Sequence, residues 1–241
     1  MKRFALMSVF AGLLIGTGGL VYLRVGGPVG AIMFAFGLLC VVMCGAQLFT
    51  GKSGYLPYKD WPKLILMILL NAVGCTIAAF IARYVSNDTV TTNLANIINA
   101  RGNASWHSLL VTSAGTGMIM TLAVYGARKK HYLPLLFGVP VFILCGLPHC
   151  VADAFYYAFA AIQGNWQWWI LPAWGWAILG NYIGCNLPDG LWVSCLRGNL
   201  LEVTVSHLFF CPEICAPART FFSSRQFSPG SAAGIRMFCF L

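Results

Sequence analysis

Runs of about twenty apolar residues recur along the chain, separated by short polar segments. The first extends from Phe4 to Leu23, with Gly12 and Gly16 in the GxxxG spacing that lets two helices approach closely. Pro28 opens the second, which stays apolar to Met43 and then meets the sequence CGAQLFTGKSG. Trp61–Tyr84 and Trp106–Ala127 form the third and fourth, Gly138–Phe159 the fifth, and a sixth lies within Trp168–Cys195. Each approximates the ~20 residues that a helix needs to cross a bilayer. The pattern predicts an all-α membrane protein with six transmembrane helices.

Two of these spans are broken in the middle. The fifth carries Gly146, Pro148, His149 and Asp153 at its centre, and the second gives way near Gln47 to Lys52. Backbone that departs from helix at membrane depth is tolerated where it lines a cavity or is buried in protein. An ionisable side chain there is expensive and faces a partner, a cavity or a pathway. His149 is therefore either a histidine bonded across a helix interface or a group on a permeation path.

The motif N-x-x-G-C occurs twice, at Asn71–Cys75 in span three and at Asn181–Cys185 in span six, each time after an interrupted span. Three spans followed by a similar three is an internal repeat, and an odd number of spans per half forces the halves to insert with opposite topology. Binding sites in such inverted 3+3 folds lie near the midplane, where the interrupted helices meet. Leu48, Phe49, Thr50 and Gly51 are thereby expected opposite Leu147, Pro148 and His149.

Composition agrees with a membrane protein and narrows the function. Of 241 residues, 59% are hydrophobic and 9% charged, and mean hydropathy is +0.77; a soluble domain carries about 25% charged residues. The net charge of +9 reflects loop orientation, since the basic residues share no face that nucleic acid would use. The N-terminus and the loops after spans two and four hold Lys2, Arg3, Lys52, Lys59, Lys63, Arg128, Lys129 and Lys130, against Arg24, Arg83 and Arg101 on the other side. Eight against three places both termini in the cytoplasm of a plasma (bacterial inner) membrane, with lipid as the surrounding partner.

Several weaker signals are set aside. Gly45 to Ser53 looks like a phosphate-binding loop, but five residues separate Gly45 from Gly51 where the motif needs four. Seven of the ten cysteines lie in apolar stretches without a CxxC pair and behave as small hydrophobes, so no metal or cofactor is expected. Val85 to Ser105 reads as a polar loop with two N-x-[ST] patterns, which are too short to carry weight. No cleavable leader is evident after Met1-Lys2-Arg3. Residues 1–197 form the transmembrane domain. Beyond them Pro212, Pro217 and Pro229 interrupt the apolar pattern, so 198–241 reads as a poorly ordered tail, with non-native coding sequence as the alternative.

Gly45-Ala46-Gln47-Leu48-Phe49-Thr50-Gly51, the span-five Gly146-Leu147-Pro148-His149-Cys150 and the span-six Leu179-Gly180-Asn181-Tyr182-Ile183-Gly184-Cys185 together resemble the formate/nitrite transporter family, over residues 4 to 195. The resemblance implies an aquaporin-like protomer, a homopentamer and one anion pore per subunit. It implies a break at Leu48, Phe49 and Thr50, a pore histidine at His149 and an anion-attracting cation ahead of span four at Arg101. Members commonly carry Glu one place before the histidine and Asn four places after it, where this chain has Pro148 and Asp153, and Asn in span four where it has Gly117. Because i and i+4 share a helix face, Asp153 is expected to support the His149 imidazole.

The chemistry expected of such a pore follows from desolvation. A bare anion in an apolar constriction loses many kcal/mol of hydration, which either local positive potential or protonation to the neutral acid can offset. Thr50 would hydrogen-bond the anion, His149 would share a proton, and Phe49 would help to form the constriction. Small monovalent weak-acid anions fit this scheme: formate first, then nitrite, hydrosulfide, acetate and lactate. The rivals are a channel for neutral solutes, which should bear Asn-Pro-Ala loops that are missing here, and a haem or redox protein using His107, His131, His149 or His207, of which only His149 is mid-span. No enzymatic activity is expected.

Overall fold

A computed structural model describes residues 1–55 and 60–196, the side chains of 189–196 excepted; the expected tail at 198–241 lies outside the described residues. The described residues are helical: α1 (Lys2–Val25), α2 (Gly27–Met43), α3 (Phe49–Lys52), α4 (Trp61–Tyr84), α5 (Asp88–Gly102), α6 (Trp106–Arg128), α7 (Leu133–Leu144), α8 (Cys150–Ile162) and α9 (Ile170–Leu196). Six spans result, the second built from α2 and α3 and the fifth from α7 and α8. Helices α1, α4 and α6, of 23 or 24 residues, are each long and apolar enough to cross a membrane unbroken. Large apolar side chains such as Ile65, Leu69, Ile77 and Phe80 on α4 remain exposed, as expected of a surface solvated by lipid or by neighbouring subunits.

The two halves repeat in detail. Within each, the first and third spans pack closely, α1 on α4 and α6 on α9, because glycine faces backbone. A Cβ on Gly74 would collide with the Val9 carbonyl, and one on Gly184 with that of Ala114. On the partner helices, a Cβ on Gly12 would strike the Asn71 carbonyl and one on Gly117 that of Asn181. Gly117 thus has no room for the Asn that the family resemblance leads one to expect there.

Both interruptions are made by the same device. Helix α2 ends with Gly45 at φ 64°, with Ala46 N donating to Val41 O and Gly45 N to Val42 O. Helix α7 ends with Gly146 at φ 67°, with Leu147 N donating to Phe142 O and Gly146 N to Ile143 O. This is the Schellman closure of a helix, which needs a left-handed residue at the position glycine fills. Three non-helical residues follow in each half before the next helix begins, the last of them, Leu48 or His149, extended.

One expectation is corrected. Val85 to Ser105 contains a helix, α5, where the sequence suggested a loop. The side chain of Asn87 accepts from Val90 N and caps its first turn, and Val90, Leu94 and Ile98 form a buried stripe. The asparagine of the first N-x-[ST] pattern is a helix cap.

Candidate functional site

The extended residues of the two breaks meet at the centre of the bundle, where each is clamped by an asparagine. Asn71 on α4 accepts from Phe49 N at 2.9 Å and donates to Gln47 O at 2.9 Å and Ser8 O at 2.7 Å. Asn181 on α9 accepts from Cys150 N at 2.8 Å and donates to Pro148 O at 3.1 Å and Ser113 O at 2.7 Å. Each amide therefore satisfies backbone groups that the broken helix cannot, which is the condition for broken backbone at this depth. The cysteines of the repeated motif complete the frame. Cys75 Sγ donates to Val151 O at 3.2 Å, and Cys185 Sγ to Thr50 O at 3.3 Å, each reaching the half-helix of the opposite repeat.

Within this frame Thr50 Oγ1 lies 2.9 Å from His149 Nε2, and both residues are buried. His149 sits in extended backbone at the N-cap of α8, and its Nδ1 accepts from Ala152 N at 3.1 Å. An acceptor at Nδ1 assigns the ring proton of the neutral imidazole to Nε2. The Nε2–H consequently donates to Thr50 Oγ1, which leaves the threonine hydroxyl hydrogen to donate elsewhere. Phe142 stacks on the imidazole, with ring centroids 5.5 Å apart. Leu48 and Phe49 are buried beside the pair.

Asp153 does not support His149. Its carboxylate turns to Arg101 on α5, whose Nε donates to Asp153 Oδ1 at 3.3 Å, while Arg101 Nη1 donates to Gly146 O at 2.9 Å. The i, i+4 argument fails because His149 is the cap and not part of the helix, so its side chain lies off the face that Asp153 shares. Asp153 is 1% exposed and the Arg101 side chain 12%. The sequence-expected residues thus form two groups: Thr50 with His149, flanked by Leu48 and Phe49, and Arg101 with Asp153 towards one end of the bundle.

At the opposite end, below Leu48 and Gly51, a cavity of about 110 Å³ is bordered by Lys52 and Arg128. The sequence treated these cations only as markers of orientation. Their approach to a common cavity depends on α3 and α6 lying side by side, which no local pattern announces.

The model of the formate/nitrite transporter family matches residues 1–195. The chain belongs to that family. It is therefore a multi-pass membrane protein of a transporter family, not an enzyme. A curated relative, the uncharacterized transporter YrhG of Bacillus subtilis (strain 168), is 25% identical over 187 residues, 68% of this chain and 69% of its own length. The formate-nitrite transporter of Entamoeba histolytica is 26% identical over 227 residues, 79% of this chain and 63% of that longer protein. Among solved structures, a pentameric formate channel with formate bound superposes with a TM-score of 0.71 at 20% identity, covering 82% of this chain and 98% of that one. An FNT family ion channel gives 0.72 at 21% identity, covering 80% and 90%. Both show that the chain has the fold that its resemblance to the formate/nitrite transporters implied.

Proposed function

We propose that the protein carries small monovalent weak-acid anions across a membrane, formate foremost, with His149 and Thr50 as the groups that handle the anion and its proton. The observation that supports this reading most directly is the 2.9 Å contact between Thr50 Oγ1 and His149 Nε2 where the two broken helices meet. The ring proton donates to the threonine oxygen, so the hydroxyl hydrogen is free to donate to an anion in an otherwise apolar surrounding. A ring that first takes up a proton at Nδ1, giving up the bond from Ala152 N, can pass its Nε2 proton to the Thr50 oxygen while the hydroxyl hydrogen goes to the anion. The anion then crosses as the neutral acid and the imidazole returns to its neutral form. Each crossing by this route moves one proton with one anion. Protonation removes most of the desolvation cost, which for a bare charge is tens of kcal/mol in an idealised apolar medium.

Arg101 draws anions to one mouth, Leu48 and Phe49 narrow the path, and Asp153 sets how much of the Arg101 charge is felt. The protein works as a homopentamer with both termini in the cytoplasm of the bacterial inner membrane. The pentameric assembly of a structural neighbour supports the first statement, and the eight-to-three distribution of basic residues the second.

Flux into proteoliposomes tests the reading. Formate, nitrite, hydrosulfide, acetate and lactate are compared with sulfate, with and without a pH gradient. Weak-acid flux that follows the proton gradient, with sulfate excluded, is the expected result. Equal sulfate flux, or no saturable weak-acid flux, would overturn it.

A further inference from the structure

The cations at the two ends of the bundle keep different company. Arg101 is compensated by the buried carboxylate of Asp153. The side chains of Lys52, at the C-terminus of α3, and Arg128, at that of α6, have neither a hydrogen bond nor an acidic partner among the described residues. The Arg128 guanidinium rests 3.8 Å from the Tyr55 ring centroid, and the Tyr55 hydroxyl is directed to Thr121 O at 3.0 Å. An aromatic face steadies the cation without neutralising it.

Both cations border the cavity of about 110 Å³, whose remaining walls are apolar side chains and backbone, including Val41, Leu48 and Gly51. Leu48 and Gly51 bracket the residue that contacts His149, so the cavity abuts the break itself. One water needs only about 10–15 Å³ of such space, so there is room for a small organic anion and a few waters. Two like charges facing one pocket repel each other until an anion lies between them, and apolar walls focus their field into the pocket. Arginine offers a planar fork for a carboxylate and lysine a point charge, a complementary pair of donors.

We propose that Lys52 and Arg128 form an anion-binding subsite that holds one small monocarboxylate, formate to lactate in size, immediately before it reaches Thr50. The subsite deepens the transport reading and rests on it. It makes the protein asymmetric: anions are captured at the Lys52 face by two cations with no acidic partner among the described residues and at the Arg101 face by one cation paired with Asp153. At equal concentrations the Lys52 face therefore saturates first.

The test measures labelled-formate flux in proteoliposomes, varying formate on one side at a time and scoring orientation by protease access to a terminal tag. Lys52→Met and Arg128→Gln should each raise the half-saturating formate concentration at the Lys52 face about fourfold, the value of one charge acting over a Debye length. The half-saturating concentration at the Arg101 face should stay put. Lys52→Arg should behave as wild type, which separates charge from packing. Unchanged half-saturation at the Lys52 face, or an equal rise at both faces, in variants that elute as wild type, would overturn the subsite and leave transport intact. Wild-type vesicles without weak-acid flux would remove the transport reading and the subsite with it.

Discussion

Replacing Asp153 by Asn removes one charge from a buried pair while keeping the shape of the side chain. Arg101 Nε can donate to an amide oxygen as it does to Asp153 Oδ1, and its Nη1 bond to Gly146 O is untouched. Breaking a buried ion pair from one side costs 3–5 kcal/mol at the upper end. Here the guanidinium is 12% exposed and keeps both acceptors, so about 1–2 kcal/mol is the expected loss of stability. The larger effect is electrostatic. A unit charge acting over a Debye length of ~8 Å through an effective dielectric of ~20 is worth about 2 kcal/mol, which screening at that distance reduces to about 0.8 kcal/mol. Uncovering Arg101 should then lower the half-saturating anion concentration at its own face about fourfold and leave the Lys52 face alone. Sided formate flux in proteoliposomes reads both numbers. The midpoint of flux against pH should not move, because both ring nitrogens of His149 are engaged by Thr50 and Ala152, not by Asp153. Unchanged half-saturation at the Arg101 face in protein that elutes as wild type would refute the compensation argument. A displaced pH midpoint would restore the coupling of Asp153 to His149 that the contacts deny.

Three further outcomes follow from the same contacts. His149→Asn should fold, shown by a wild-type elution profile, and lose the pH dependence of flux; a retained profile would reduce His149 to a packing residue. Asn181→Ala leaves Cys150 N, Pro148 O and Ser113 O without their partner and should cost about 2–5 kcal/mol, read as a lower unfolding temperature in detergent, with Asn71→Ala similar. Lys130 is the one described non-glycine residue with positive φ, at 66°, where His131 N and Lys130 N close α6 on Gly126 O and Ala127 O; Lys130→Gly should raise the unfolding temperature by relieving about 1 kcal/mol of strain, and a fall would show that its charge matters more than its backbone.

The fold was legible where one-dimensional signals coincide with local physics. Apolar runs mark spans because the bilayer sets their length, and the Cys-Gly pairs at 44–45 and 145–146 mark where the runs break because only glycine closes a helix this way cheaply. The repeated Asn-x-x-Gly-Cys pointed to the inverted repeat before its mechanics were visible: asparagine clamps the break, glycine admits the neighbouring backbone, and cysteine reaches the other half. Helix α5 was missed although Asn87 and the spacing of Val90, Leu94 and Ile98 announce it, because its polar composition resembles a loop. The partnership of Arg101 with Asp153 had no local signal at all, since it depends on where α5 lies against α8.

The repeat also shows where the two halves diverge. Aligning Gly45 with Gly146 pairs Leu48 with His149 and Thr50 with Val151, so the two polar groups in contact are not equivalents of one another. The first break starts a helix of four residues whose cap, Leu48, offers no side-chain bond; the second starts one of thirteen whose cap, His149, accepts from Ala152 N. What the halves share is scaffold: the Schellman closures, the asparagine clamps and the thiol donors. What they do not share is the content of the meeting point. A strictly symmetric pair would place either two imidazoles or two leucines there, the first repelling any proton beyond one and the second offering an anion nothing. Divergence at Leu48/His149 and Thr50/Val151, within a frame held constant, sets one titratable ring against one hydroxyl. Exchanging the two contributions, with Thr50→Val and Val151→Thr in one protein, should leave the clamps and the fold intact while abolishing flux, because the hydroxyl would no longer face Nε2. Retained flux in that double variant would show that polarity at the breaks suffices and that the Thr50–His149 contact is incidental.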